Sequence, residues 1–393
     1  MLHRLLSTII SIVACIAVNA QEVCVINGNI TDVHTAGGAK VKKLFLVATD
    51  EFGRDVEVAS ARVRRGSYTF NVELAEGDHI LMYKIKGFGE DKGIEVFVEP
   101  GIVTVQTESA AAPEESVVSG TPTNDGYCQY KAIGVAGIAA AEAQISALAA
   151  GKAPGWAETE EGKAESQRIR AKEYIITTSQ LIRFLLEHNA SPMTPFVIER
   201  DILPQLSAVY GKQMTNSIST TLYGHPYYRS LRNRMLSNNM QVGSEVPDIT
   251  MPMLGGETKH LTDFRGKYVI LNFWSSDSDE SAEMIAEMQR VYEIVKSADE
   301  QFVIISFALN ENVGEWKSAV ETNNMNREGW LNACDAAGAE SLAAELFAVE
   351  AAPKIVLVEP EGLAVSLNME TDEVVMRVEQ ILSGDLYYLD QID

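Results

Sequence analysis

The sequence predicts an all-β sandwich, a helical middle region and a C-terminal α/β domain whose central mixed sheet is flanked by helices. Three observations carry this. Residues 22–107 divide into about seven short β-favouring runs separated by Gly, Asp and Asn turns. Residues 126–239 have helix-forming composition with apolar residues on one side. In 241–393 short apolar runs alternate with amphipathic helical patterns, which is the mark of α/β layering. A chain of 393 residues with 46% apolar content supports two or three such cores. The expected boundaries are 1–20 for an export signal, 21–107 for the sandwich, 108–125 for a linker, 126–240 for the helices and 241–393 for the α/β domain.

Residues 1–20 read as an export signal. His3 and Arg4 form a short basic start, residues 5–18 an apolar core, and Val18-Asn19-Ala20 a small-residue cleavage site before Gln21. This stretch is too short and too early to be preferred as a spanning helix. Ile12-Val13-Ala14-Cys15 also resembles a lipoprotein cleavage box, which would leave Cys15 as a lipidated N-terminus. The apolar Ile16-Ala17-Val18 after it makes plain cleavage the preferred reading. Export to the periplasm or cell envelope is expected either way.

The sandwich strands are expected at 23–30, 44–48, 56–63, 67–74, 80–85, 94–98 and 103–107. In the fourth, Tyr68, Phe70, Val72 and Leu74 alternate with polar residues, so that strand has one buried face. Residues 109–122, rich in Ala, Ser, Glu and Pro, read as a linker or poorly ordered connection.

In the middle region, 131–150 is Ala- and Gly-rich and apolar. Glu142 and Gln144 interrupt it and Gly134 and Gly137 weaken it, so a soluble helix or loop is expected, with no membrane span in the mature chain. Residues 160–188 form a helix whose apolar side is Ile175, Ile176, Leu181, Ile182, Leu185 and Leu186. A helix at 196–210 is kinked or restarted at Pro204, and another spans 227–240. His225 and the Tyr227-Tyr228 pair read as capping and packing residues.

The stretch 266–284, GKYVILNFWSSDSDESAEM, organises the last domain. Residues 269–273 are short and apolar enough for a buried strand. Trp274 to Asp277 turn. Met284, Ile285, Met288, Val291, Tyr292 and Val295 then lie on one face of a helix. Ser278 and Ser281 sit at its start. Asp277 or Ser278 suits the N-cap, Asp279 and Glu280 complement the positive helix end, and Asp277 with Glu280 has capping-box spacing.

This layout resembles the thioredoxin-like family in its exported thiol–disulfide (TlpA/ResA-like) branch, within the wider alkyl hydroperoxide reductase/thiol-specific antioxidant superfamily. The branch reads roughly GKYVLLNFWASWCxPC. Gly266, Lys267, Tyr268, Val269, Leu271, Asn272, Phe273, Trp274 and Ser276 stand where the pattern puts them. The resemblance extends from Gly243-Ser244-Glu245-Val246-Pro247-Asp248 through Ala351-Ala352-Pro353-Lys354-Ile355-Val356-Leu357-Val358, which is similar to the family's cis-proline segment. It implies a cis bond before Pro353 and a groove, bordered by Trp274, Ser278, Ala352 and Pro353, that holds an extended peptide. Upstream, CVINGNI, RRGSYTF, VEPGIVTV and SGTP resemble a domain of unknown function that precedes such modules.

The departures fall on the chemistry. Asp277 replaces the motif tryptophan, and Ser278 and Ser281 occupy both cysteine positions with Asp279 and Glu280 between them. A family thiol at the helix start is activated by unpaired N–H groups and the dipole, and a second cysteine resolves the mixed disulfide. A serine hydroxyl cannot form that bond. A peroxidase reading meets the same obstacle, because that cysteine falls at the same helix start. The expected function is therefore a redox-inactive envelope protein that binds an envelope protein or peptide segment, with no catalytic residue. The alternative is a thiol–disulfide oxidoreductase or peroxidase-type enzyme using the lone thiol of Cys334.

Charge and cysteine usage narrow the rest. A net charge of −23 disfavours nucleic acid and anionic membrane surfaces. Residues 335–393 hold 13 Asp/Glu and 2 Lys/Arg, read as a solvated acidic face. No C-x-x-C occurs and the six histidines lack ligand spacing, so no metal or cofactor is expected. Cys24 and Cys128 bracket the sandwich and are a candidate disulfide in an oxidising compartment.

Overall fold

The computed structural model describes residues 22–50, 54–89, 92–298 and 300–384. The segment 1–20 expected as an export signal, with Cys15, lies outside the described residues. Alternation builds the N-terminal domain. Its strands are β1 (Glu22–Asp32), β2 (Lys43–Thr49), β3 (Asp55–Arg62), β4 (Ser67–Leu74), β5 (Leu81–Lys86), β6 (Gly93–Val98), β7 (Gly101–Ser109) and β8 (Val117–Ser119). They form two sheets, ordered β4-β1-β7-β8 and β3-β2-β5-β6. Every second residue of β4 is buried, as the pattern requires. Tyr68 lies over Gly28 on the paired strand, where a Cβ would stand 1.9 Å from the ring. Only glycine fits there.

The stretch expected as a linker is part of this domain. β8 pairs antiparallel with β7, and a 3₁₀ turn at Pro113–Glu115 leads into it. Three residues, Val-Val-Ser, suffice for an edge strand too short for periodicity to reveal.

The helices α1 (Pro122–Ala150), α2 (Glu160–Glu187), α3 (Met193–Val197), α4 (Ala208–Asn216) and α5 (Pro226–Ser237) follow. α1 is long and apolar enough to cross a membrane by length and composition. It runs beside α2, and its polar interruptions are engaged there. Arg170 Nε donates to Glu142 Oε1 at 2.9 Å, and Gln144 Nε2 donates to Glu173 Oε1 at 2.7 Å. The apolar side expected for α2 is only partly used. Leu185 is buried and Leu181 and Ile182 are half-buried, but Ile175, Ile176 and Leu186 are exposed. Those six residues wrap around the helix, and only its C-terminal part reaches the core shared with the sandwich. Between α3 and α4 the chain passes through a π turn at Ile198–Ile202 and a 3₁₀ turn at Leu203–Gln205. Pro204 donates no hydrogen bond and ends the regular spiral, so the helix restarts at Ala208.

Met82 and Phe97, on the outer side of the second sheet, join a core with Tyr127, Leu185, Met193, Val197 and Leu231 from the helices. Polar clamps fix the joint. Buried Glu99 accepts from Thr123 N at 2.8 Å and Thr123 Oγ1 at 2.9 Å, satisfying orphan donors at the start of α1. Asn124 takes Phe97 N on its Oδ1 at 2.9 Å and donates from Nδ2 to Phe97 O at 2.8 Å.

The expected Cys24–Cys128 disulfide is absent, and both are free thiols. Cys24 is sealed between the two sheets, whereas Cys128 belongs to α1 on the far side of the second sheet. That sheet separates them.

The C-terminal domain holds β9 (Thr250–Pro252), β10 (Thr258–His260), β11 (Tyr268–Trp274), α6 (Asp279–Val295), β12 (Phe302–Ala308), α7 (Val313–Thr322), β13 (Trp330–Cys334), α8 (Leu342–Leu346), β14 (Lys354–Val358), β15 (Ala364–Ser366) and α9 (Glu373–Leu382). The main sheet is ordered β13-β12-β11-β14-β15, so β11 is central, parallel to β12 and antiparallel to β14. Both faces are covered. Ile270, Trp274, Ile304 and Ile355 face α6, α7 and α9, while Val269, Leu271, Phe273 and Ile305 face α8 and the β9–β10 hairpin. This explains why the strands read as continuous apolar runs.

Candidate binding site at the start of α6

β11 ends at Trp274, whose carbonyl accepts from Leu309 N at 2.7 Å, and the chain turns into α6. Ser278 is the N-cap: its Oγ accepts from Ser281 N at 3.1 Å. The expected Asp277–Glu280 capping box does not form. The Ser278 hydroxyl donates to Glu280 Oε2 at 3.1 Å, and Asp277 receives the Ser275 hydroxyl. Ser278 takes the cap because the helix begins one residue later than an Asp277 cap would require.

Ser281, fully buried, accepts from Ser275 N at 3.1 Å. Ser276 and Asn310 bond reciprocally, Ser276 N to Asn310 Oδ1 at 3.2 Å and Asn310 Nδ2 to Ser276 Oγ at 2.6 Å. The turn is thus stitched by hydroxyls and one amide. Sequence reasoning marks neither Ser275 nor Asn310 as part of the site, and the Ser276–Asn310 pairing spans 34 residues, beyond any local pattern. Glu280's carboxyl is held below its ordinary pKa, first by its own backbone N–H at the helix start and then by the Ser278 hydroxyl. Asp277, Asp279 and Glu280 all face solvent.

The Ala352–Pro353 peptide is cis. Phe273 pairs with Lys354, so the half-buried Pro353 lies at the same sheet end as the turn. Trp274, expected to border a groove, is only 1% exposed and packs in the core with Met284, Ile285 and Ile355. It supports the turn from beneath. Its residue parity on β11 points it at α6 and away from the surface. Fully buried Asn272, two residues earlier, has no hydrogen-bond partner for its amide among the described residues.

Cys334 lies at the same sheet end. Trp274 pairs with Ala308 and Ala308 with Cys334, which places the thiol two strands, about 10 Å, from the turn. It is 5% exposed, and its Sγ donates to Asn310 O at 3.4 Å. Burial is the main cause that pushes its pKa up, with backbone hydrogen bonds at Ala336 and Asn310 partly opposing. These conditions disfavour thiolate. Among the described residues no group of three or more His, Cys, Asp or Glu could hold a metal ion.

Comparison with known proteins agrees with this architecture. Residues 242–363 match the AhpC/TSA family, and residues 24–127 match the domain of unknown function DUF4369. The thiol-disulfide oxidoreductases ResA of Geobacillus kaustophilus (strain HTA426) and Geobacillus thermodenitrificans (strain NG80-2) are each 35% identical over 80 residues, 20% of this chain. The chain spans 42% of the length of each. Among solved structures, the thioredoxin domain of a Bacteroides vulgatus thiol-disulfide oxidoreductase is 27% identical (36% of this chain, 98% of that one, TM-score 0.33). A thiol-disulfide oxidoreductase from Bacteroides fragilis NCTC 9343 is 25% identical (35% and 99%, TM-score 0.32). The chain is thus a DUF4369 domain followed, beyond the helices, by a thioredoxin-like domain of the AhpC/TSA family.

Proposed function

We propose that this is an exported protein of the cell envelope whose thioredoxin-like domain has no dithiol chemistry and acts as a non-catalytic binding module for an extended polypeptide segment. The observation that carries the reading is the start of α6, where Ser278 and Ser281 stand at the positions of the family's two cysteines and are both used as hydrogen-bond acceptors within the turn. The Ser278 hydroxyl donates to the Glu280 carboxylate, but that carboxyl is held below its ordinary pKa and is too weak a base to activate a hydroxyl as a nucleophile. The remaining parts suit binding. Ser278 is half-buried, and Ala352 and Pro353 are half-buried at the same sheet end, leaving backbone and small side chains for a strand-like ligand. The acids Asp277, Asp279 and Glu280 favour a ligand without negative charge. A thiol enzyme built on Cys334 is disfavoured by that thiol's burial and raised pKa.

Two measurements test this. The mature protein shows no insulin reduction above buffer with dithiothreitol; turnover at rates typical of thioredoxins rejects the proposal. A photo-crosslinking residue replacing Ala352 captures a polypeptide from the envelope fraction, and bulky Ser278→Trp suppresses the capture; undiminished capture removes the groove from the reading. The electrostatics of the turn are checked by installing Ser278→Cys with Ser281→Cys. Adding Asp279→Asn and Glu280→Gln then lowers the pKa of the new thiol at the helix N-cap, because two nearby negative charges that oppose thiolate are gone.

A further inference from the structure

The hairpin formed by α1 and α2 leaves a band of apolar side chains uncovered. Beyond Tyr130 only Ala141 and Ile145 of α1 are buried, yet residues 132–141 of that helix, AIGVAGIAAA, carry no polar side chain. Val135 and Ile138, one turn apart, are 67% and 69% exposed. On α2, Tyr174 and Ile175 are exposed as well. The contacts between the helices bring these four together. A Cβ on Gly137 would stand 2.0 Å from Thr177 Oγ1, and Gln144 donates to Glu173. The helices therefore run antiparallel, with Val135 and Ile138 within about a turn of Tyr174 and Ile175. At these exposures the four side chains present on the order of 500 Å² of apolar surface, the size of the largest patch on an ordinary monomer.

Charge and shape indicate what covers this band. Residues 122–187 hold eight Asp/Glu and seven Lys/Arg, a net of −1 in a chain of net charge −23. The charges that bound the apolar run are engaged within the hairpin, Lys131 over the Tyr127 ring and Glu142 with Arg170. Two copies of the chain therefore meet without repulsion here, although they repel elsewhere. The exposed run is also graded in size. Val135 and Ile138 come first, and the exposed Ala139, Ala143 and Ala147 follow. A two-fold axis near Ala139 sets Val135 of one copy against Ala143 of the other, and the reverse, so bulk meets hollow on both sides of the axis. A face about 30 Å long and two helices wide supplies the roughly 800 Å² per partner that a stable dimer buries.

We propose that the α1–α2 hairpin is a self-association surface on which two copies of this chain pack hairpin to hairpin as an antiparallel four-helix bundle. A bilayer is the other occupant that an apolar helix suggests. α1 has the length for it, but α2 is tied alongside and would bring Arg168, Arg170, Lys172 and Glu173 into the hydrocarbon. An unrelated helix would not account for the large-to-small order, which is complementary to itself when reversed.

The test is sedimentation velocity on the mature full chain. A dimer forms, and it tightens between about 0.1 and 0.5 M NaCl, because salt screens the repulsion of two acidic copies while the interface is apolar. Ile138→Glu places a charge at the interface in both copies and weakens association by about 100-fold or more. The position is exposed in the single chain, so the monomer keeps its helicity and melting temperature. Should that variant melt early, Ala139→Cys in a Cys128→Ser background gives a second reading. Mild oxidation links two chains at the axis, whereas Glu158→Cys, at the far end of the hairpin, does not link them. The proposal is overturned by a chain that stays monomeric at about 50 μM, by a dimer that Ile138→Glu leaves intact, or by equal linkage at both cysteine positions. Flotation with phosphatidylcholine vesicles that Ile138→Glu abolishes would also overturn it, by assigning the face to a membrane. So would a monomer that holds a foreign polypeptide through native purification and loses it in Ile138→Glu.

Discussion

The two sheet-bearing domains solve burial in opposite ways. In β4 every second residue is buried; in β11 six of seven are. The sandwich hides one side of its first sheet and leaves the other free to carry arbitrary polar side chains. The C-terminal sheet is covered on both faces, so no strand interior can reach a ligand. Its site is confined to the strand ends and the turns that leave them, where Ser278, Asn310 and Pro353 gather.

The strongest way to break this contrast is to cut on both faces of β11. Ile270→Ala and Leu271→Ala, adjacent but on opposite faces, should each lower unfolding free energy by about 2–5 kcal/mol in urea denaturation. If either costs less than about 1 kcal/mol, one face is not a core. The joint between sandwich and helices gives a pH test. His225, buried on α5's N-cap with its ring 5.0 Å from that of His79, is pushed down to about 4, mainly by burial and then by His79. Below pH 6.5 the unfolded chain takes up that proton before the folded one does, so stability is lost as the pH falls from about 6.5 toward about 4. The loss is at most about 3 kcal/mol. His225→Asn keeps an acceptor for Tyr227 N and should show a smaller loss over the same window; equal slopes reject the assignment.

At the turn, Ser281→Ala strands Ser275 N and should cost about 1–3 kcal/mol, more than Ser278→Ala, a cap loss of about 1 kcal/mol. Thermal melts giving the reverse order would mean that Ser281 only fills space. The smallest effect belongs to the sandwich: Thr69→Val, on the open face, should stay within about 0.5 kcal/mol of the parent.

Much of this architecture is legible in the sequence. The alternation at Tyr68, Phe70, Val72 and Leu74, the apolar run of β11 and the helical stripe from Met284 to Val295 are local patterns, and the structure bears each of them out. What escapes depends on distance. β8 is three residues whose strand character comes from pairing with β7. The motif assigns Trp274 to a groove, but strand parity turns it inward. Cys24 and Cys128 bracket the sandwich in sequence while a sheet divides them in space. The hydroxyl stitching of Ser276 to Asn310 joins two loops that no periodicity links.

Helix α5 touches both halves of the molecule. Near its start, Tyr227 Oη accepts from Met82 N at 2.5 Å in the sandwich. Further along, Arg232 pairs with Glu245 at 2.6 Å, Asn233 exchanges two hydrogen bonds with the Asp248 backbone, and Arg234 reaches Glu345 at 2.7 Å. Twelve residues, about 18 Å of helix, are pinned at both ends. In mechanical terms α5 is a tie-bar. Swinging one domain against the other requires releasing one set of pins, so a load applied to the second sheet of the sandwich is felt at the opening hairpin of the thioredoxin-like domain.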